Sequence, residues 1–293
     1  IIIALIIVAG AIQIFLSGPQ ETFTDRPVIA TTIFPVYDIT KNIAGDEFDI
    51  VLILPVGANP HTFEPTPSIV REVQNAKVFF KIGYGIDDWV DGLASQANTN
   101  RSIDTGEAET TIQRLSDGIV LRTADGAIDP HYWLSIPNAK IMAKNITATL
   151  TETYPEFTSD FQSNLESYLR ELEIVDIYSH AQSDFIANKN IVTMHDAWYY
   201  FADEYSLNIV GTFEPASGKE PTPQYLANLL LAVQASGVPT VYSEPQSSEV
   251  AFMSFAKDNS LKIAELDDIG GVPGRMSYID LIKYNVQTFV QNQ

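Results

Sequence analysis

The chain has 293 residues, of which 45% are hydrophobic, enough to bury one large core or two ordinary ones. Thirty-seven Asp and Glu against 17 Lys and Arg give a formal charge of -20, which argues against a nucleic-acid partner and suits attraction of a cation. Cysteine is absent, so disulfides, thiolate metal sites and cysteine nucleophiles are excluded, and any bound metal must take nitrogen and oxygen ligands.

Residues 1–16, IIIALIIVAGAIQIFL, carry Gln13 as the one clearly polar side chain and predict a targeting segment or membrane anchor. Leu16, Ser17 and Gly18 match the first positions of a bacterial lipoprotein processing box, but Pro19 stands where the lipidated cysteine would be. Proline beyond the cut also disfavours ordinary cleavage. The expectation is therefore a retained N-terminal anchor, with a cleaved signal peptide as the alternative, and a flexible tether up to residue 26.

VIATTIF (28–34), a helical stretch ending near Gly45 and FDIVLIL (48–54) predict a β-α-β unit. A short helix from Pro67, the strand KVFFKIG, a helix around DDWVDGLA, a strand at IVLR near residue 120 and a helix over 138–153 continue the alternation. Such alternation predicts a parallel sheet covered by helices.

From Pro155 to about Ile186 the pattern changes. Phe157, Phe161, Leu165, Tyr168, Leu172 and Val175 recur at helical spacing with no Gly or Pro to interrupt them, which predicts one long helix with a single apolar stripe. Some thirty residues at 1.5 Å each reach about 45 Å, more than the width of one small lobe. Alternation then restarts with NIVTM, LNIVGTF, a helix from Pro223, PTVYS, a helix near 247–259, LKIAEL and a final helix through LIKYNVQTFV. The organisation expected is an anchor and tether (1–26), an α/β lobe (27–155), a linking helix (156–187) and a second α/β lobe (188–293), each lobe a parallel sheet flanked by helices. EPTP occurs at Glu64 and again at Glu220, each time ahead of a helix and a β-rich run, and points to two related lobes.

Three of the four histidines follow apolar β-like runs or their loops, where α/β folds collect ligands: His61 in NPHTFEP, His131 in DPHYWLS and His195 in TMHDAWYYFA. One histidine so placed is more often structural than a ligand; three together point to a metal. Pro60 and Pro130 stiffen two of these loops, which reduces the entropy lost on binding. Two of the histidines precede the long helix and His195 follows it, so a shared ion would sit between the lobes. Asp267 in AELDDIGG follows an apolar run and is the candidate fourth ligand, with Asp268 as its rival.

Three imidazoles and a carboxylate suit tetrahedral Zn²⁺, with Mn²⁺ as the alternative. His180, within the long helix, reads as a surface residue. Asp129 and Asp196 are candidates for orienting imidazoles, although turn formation or capping explains them equally well. Trp133 and Trp198 read first as core aromatics and second as a water shield.

Taken in order, NPHTFEPTPS, DPHYWLS, MHDAWYYFA with GTFEPASGKEPTP, and LDDIGG with SYIDLIKYN resemble the metal-binding receptors of bacterial zinc and manganese ABC importers, from about Val28 to Gln293. The resemblance implies two α/β lobes joined by one rigid helix, and delivery of the metal to a membrane permease. It carries the ligand role onto His61, His131, His195 and Asp267. A glutamate in place of the third histidine is common in manganese-binding members, so His195 tilts the expectation to zinc. The chain departs from the pattern in two places: no His-rich loop precedes His131, and the lipobox cysteine is missing.

The resulting expectation is a monomeric, extracytoplasmic, non-enzymatic solute-binding protein, tied to the membrane through its N-terminal segment. Two alternatives belong to other classes. A zinc hydrolase would use the open fourth position with Glu64 or Glu214 as base. A haem or siderophore receptor on a similar frame would leave the three histidines apart.

Overall fold

The computed structural model describes residues 26–104, 110–124, 126–215, 218–246 and 249–292. The expected anchor over residues 1–16, and all of the tether but its last residue, lie outside the described residues. Among the described residues no helix is long and apolar enough to cross a membrane.

Four parallel strands make the first sheet: β1 (Val28–Thr31), β2 (Asp49–Leu52), β3 (Ala76–Lys81) and β4 (Thr111–Arg114), in the order β2-β1-β3-β4. Parallel neighbours need crossovers, supplied here by α1 (Phe34–Ala44), α2 (Pro67–Val73) and α3 (Val90–Asp104). The second sheet uses β7 (Asn190–Thr193), β8 (Asn208–Thr212), β9 (Thr240–Ser243) and β10 (Lys262–Glu265), again all parallel, in the order β10-β9-β7-β8. Its crossovers are α6 (Tyr199–Glu204), α7 (Pro223–Ser236) and α8 (Glu249–Asp258).

Counted from its own first strand, each sheet runs second, first, third, fourth. The EPTP repeats fall at equivalent points, so Thr66-Pro67 starts α2 and Thr222-Pro223 starts α7, each between the second and third strands of its sheet. Thr222 caps its helix by accepting the Tyr225 N–H at 3.2 Å, whereas the Thr66 hydroxyl pairs with that of Ser68 at 2.7 Å.

After β4 the chain forms a small antiparallel ribbon, β5 (Thr123–Ala124) with β6 (Ala127–Ile128), and then α4 (Ile136–Thr153). The strand expected at IVLR is absent. TIQR at 111–114 takes the edge of the sheet instead, and the Arg122 N–H is bound by the Tyr200 hydroxyl at 2.9 Å rather than by a neighbouring strand. An edge strand with one face wet has a half-polar sequence, which is why TIQR does not read as a strand.

A 3-10 turn, Pro155–Phe157, leads into α5 (Thr158–Ser183), whose 26 residues run about 39 Å at 1.5 Å per residue. Phe161, Tyr168, Leu172 and Val175 are buried as their spacing predicts, and α5 packs against α1, α4 and the last helix, α9 (Tyr278–Gln291). One apolar cluster includes Ile29 and Phe80 from the first sheet, Leu172 from α5, and Tyr242, Leu266 and Phe289 from the second sheet and α9. Smaller clusters cover the other face of each sheet. Because the central core is continuous, swinging one lobe on the other would expose apolar surface at about 25 cal/mol per Å², and the long helix acts as a rigid spine. We propose residues 27–155 and 188–293 as the two lobes around it.

The loop after β10 closes on the first lobe through Gly270 and Gly271, at φ of 80° and 83°. A Cβ on Gly271 would stand 2.9 Å from the Phe34 ring. Only glycine combines that φ with that approach.

Candidate metal centre

Three of the candidate ligands sit beyond the carboxyl ends of strands in the two parallel sheets, the side on which α/β folds bind ligands, and the fourth, His131, follows the antiparallel ribbon. His61 lies in the loop after β2, His131 follows β6, His195 follows β7 and Asp267 follows β10. The His61 N–H is bound by Asn59 Oδ1 at 2.9 Å, which fixes the first loop. The His131 N–H donates to Asp129 Oδ1 at 3.0 Å, and the same oxygen lies 2.8 Å from His131 Nδ1.

The three imidazoles converge. One nitrogen from each of His61, His131 and His195 lies within 4.8 Å of the others, and the Nε2 atoms of His61 and His131 are 3.3 Å apart. Two nitrogens on a tetrahedral ion with bonds of about 2.05 Å stand about 3.3 Å apart. The haem or siderophore alternative requires separated histidines, which this convergence contradicts. A cavity of about 330 Å³, lined by His61, Pro130, His131, His195, Asp196 and Pro215 among others, opens the cluster to solvent.

Carboxylates fix which nitrogen points inward. Asp129 holds Nδ1 of His131, and Glu244, at the end of β9, holds Nδ1 of His195 while accepting the Trp198 indole N–H at 2.8 Å. His195 Nε2 is left buried with no hydrogen-bond partner. Buried polar atoms without partners are rare in a folded chain, and the His195 ring lies 5.8 and 5.3 Å, centroid to centroid, from those of His61 and His131. The Asp196 carboxylate pairs with Arg122 rather than with a candidate histidine. Arg122 Nη1 bonds both Asp196 oxygens at 3.0 Å and Asp129 Oδ2 at 3.1 Å, so a chain of ion pairs reaches from the second lobe to the His131 support.

The electrostatics divide the three histidines. Burial, helped by the facing His131 and His195, pushes His61 down to about 3. Burial also lowers His131, against the pull of Asp129. Burial opposes protonation of His195 too, but Glu244 outweighs it through charge and hydrogen bond, with Asp268 and Glu214 adding to the effect, and His195 is raised to about 9.

Asp267 stands outside the three-histidine group. Its Oδ1 accepts from the Ile269 and Gly270 N–H groups at 3.0 and 2.9 Å and from Gln246 at 3.2 Å. Its Oδ2 is buried with no hydrogen bond, 3.2 Å from Arg275 Nε. Asp268 is pushed up to about 8, by burial first and then by the Glu244 charge, and its carboxyl acts on His195.

Of the two candidate bases, Glu64 is exposed, and Glu214 is buried with Oε2 accepting the Gly218 N–H at 2.7 Å. Trp133 and Trp198 are fully buried, and the Trp133 indole donates to the Asp268 carbonyl at 2.6 Å, tying the two lobes. Glu244 is the residue that sequence reasoning passed over. Its signal was available, since it directly follows the apolar run PTVYS just as Asp267 follows LKIAEL.

The family model for zinc-uptake complex component A, periplasmic, matches residues 29–292. The manganese-binding lipoprotein MntA of Halalkalibacterium halodurans is 31% identical over 283 residues, covering 93% of this chain and 92% of that protein. The zinc-binding protein AdcA of Streptococcus pyogenes is 26% identical over 290 residues, 89% of this chain, and the chain spans 55% of its length. A crystal structure of ZnuA superposes with a TM-score of 0.80 at 24% identity, over 92% of this chain and 99% of the other.

Proposed function

Because the chain belongs to the zinc-uptake complex component A family, whose members are substrate-binding proteins of ABC metal importers, we propose that it captures one divalent transition metal ion between its lobes and delivers it to a permease. The observation that carries this reading is the meeting of one nitrogen each from His61, His131 and His195 within 4.8 Å, the His61–His131 pair at the tetrahedral spacing of 3.3 Å, with His195 Nε2 buried and otherwise unused. The ion is cargo. It replaces its water by three imidazoles, and Asp267 Oδ2, released from Arg275, supplies the fourth ligand, with Asp268 as the competing carboxylate.

The relatives' names divide between manganese and zinc. The ligand chemistry favours zinc, since three neutral imidazoles and one carboxylate match a four-coordinate borderline ion better than manganese, which prefers more oxygen. No bond of a substrate is made or broken in this scheme. The place of work is extracytoplasmic, at the outer face of the membrane, and the protein acts as a monomer tethered by its N-terminal segment.

Metal analysis of protein purified without added metal, followed by calorimetric titration, tests the proposal. It predicts one ion, zinc, at this centre, with binding weakened by at least two orders of magnitude in His131→Ala or His195→Ala. Unchanged affinity in both variants refutes the site; manganese recovered alone corrects the cargo.

A further inference from the structure

A second cluster of ligand-type side chains lies on the long helix and shares no residue with the centre between the lobes. Asp176 and His180 stand one turn apart on α5, hence on one face, and Glu204 ends α6 of the second lobe. One ligand atom from each lies within 4.8 Å of the other two, and Asp176 Oδ1 is 3.4 Å from His180 Nε2, again the spacing of neighbours around a tetrahedral ion with bonds of about 2.1 Å.

Two carboxylates meet here, and the Ser135 and Tyr205 hydroxyls lie within hydrogen-bonding reach of Glu204. Lys140 takes Asp176 Oδ2 at 2.7 Å, and the Ile136 N–H takes Glu204 Oε2 at 3.1 Å. The other oxygens, Asp176 Oδ1 and Glu204 Oε1, are buried without a hydrogen bond. The Tyr205 hydroxyl, on a residue 2% exposed, is turned to the same point. It lies within hydrogen-bonding reach of Ser179 and Glu204, and Asp176 adds its charge to the same corner. Two carboxylate oxygens and an imidazole nitrogen so placed offer a divalent cation its ligand atoms. The His180 side chain, 52% exposed, provides the route in.

We propose that Asp176, His180 and Glu204 form a second site, for a first-row divalent transition metal ion, that clamps the long helix to α6 of the second lobe. One imidazole and two carboxylates make a harder and weaker ligand set than three imidazoles, so the site fills after the centre between the lobes. Its occupancy stiffens the joint between spine and lobe rather than supplying cargo.

The test is zinc stoichiometry by equilibrium dialysis on the untagged chain, with thermal unfolding followed in parallel. The expected result is two zinc ions per wild-type chain at saturation, one in His180→Ala and one in His131→Ala. Zinc should still raise the melting temperature of His131→Ala but not that of His131→Ala/His180→Ala. Because His180 is half exposed, its replacement leaves the core intact, and Glu204→Gln gives a second reading of the same loss. One zinc in the wild type, or two retained in His180→Ala, overturns the second site. Failure of the cargo centre is read separately, from whether His131→Ala loses an ion.

Discussion

The carboxylate of Glu244 holds Nδ1 of His195, so that Nε2 is the nitrogen left buried without a partner. The same contact keeps His195 protonated up to about pH 9 in the metal-free protein, whereas His61 and His131 are already neutral at pH 7.

In the proposed centre, metal binding at pH 7 would displace the His195 proton. Calorimetry in buffers of different ionisation enthalpy should report about one proton released per zinc, and affinity should rise with pH up to about 9. Glu244→Gln should reduce proton release and weaken zinc binding by roughly 10–100-fold. The folded-state value lies above the unfolded value of 6.5, so this group stabilises the metal-free protein below pH 6.5, and that contribution is lost as pH rises through about 9.

Asp129→Ala removes the acceptor that fixes the His131 tautomer and cuts the ion-pair chain through Arg122 to Asp196. Zinc affinity should fall by about 10–100-fold with the circular dichroism spectrum unchanged. An unaltered dissociation constant would show that the ring is oriented by packing alone.

Asp38 is buried, accepts the Tyr278 N–H at 2.9 Å and is raised by burial to about 6 from 3.8. The folded state thus binds this proton more tightly than the unfolded chain, and stability falls as pH rises from about 4 to 6. Asp38→Asn should flatten that portion of the stability profile and add about 3 kcal/mol at most near pH 8, since one pKa unit corresponds to about 1.4 kcal/mol. Denaturant unfolding at pH 4 and pH 8 measures it.

Gly271→Ala combines an unfavourable φ with a Cβ 2.9 Å from the Phe34 ring, whereas Gly274→Ala, at φ 86°, meets nothing within 4 Å. The control should cost the backbone strain of about 1–2 kcal/mol. Gly271→Ala should cost more and also weaken zinc binding, because Asp267 and Asp268 ride on that loop. Paired melting curves and titrations separate the two effects.

Much of this fold is legible because parallel strands buried on both faces leave continuous apolar runs such as KVFFKIG, and because the stripe Phe161, Tyr168, Leu172, Val175 repeats at helical spacing. IVLR and TIQR exchange roles because what decides a strand there is tertiary: the Arg122 N–H goes to Tyr200, seventy-eight residues away. The three histidines are legible because each stands by a proline or an apolar run; Glu244 obeys the same rule but is masked by the turn-forming EPQ that it opens. The cluster around His180 is not legible at all, since Glu204 joins it only in the folded chain, where the neighbouring Tyr205 ring lies 5.2 Å from that of His180.

The most direct measurement is anomalous diffraction at the zinc edge from crystals of the zinc-loaded protein. It should place an ion at about 2.0–2.1 Å from Nε2 of His61, His131 and His195, with a carboxylate oxygen of Asp267 in the fourth position. Zinc bound with one or more of these imidazoles unengaged, or no ion between the lobes, would contradict it.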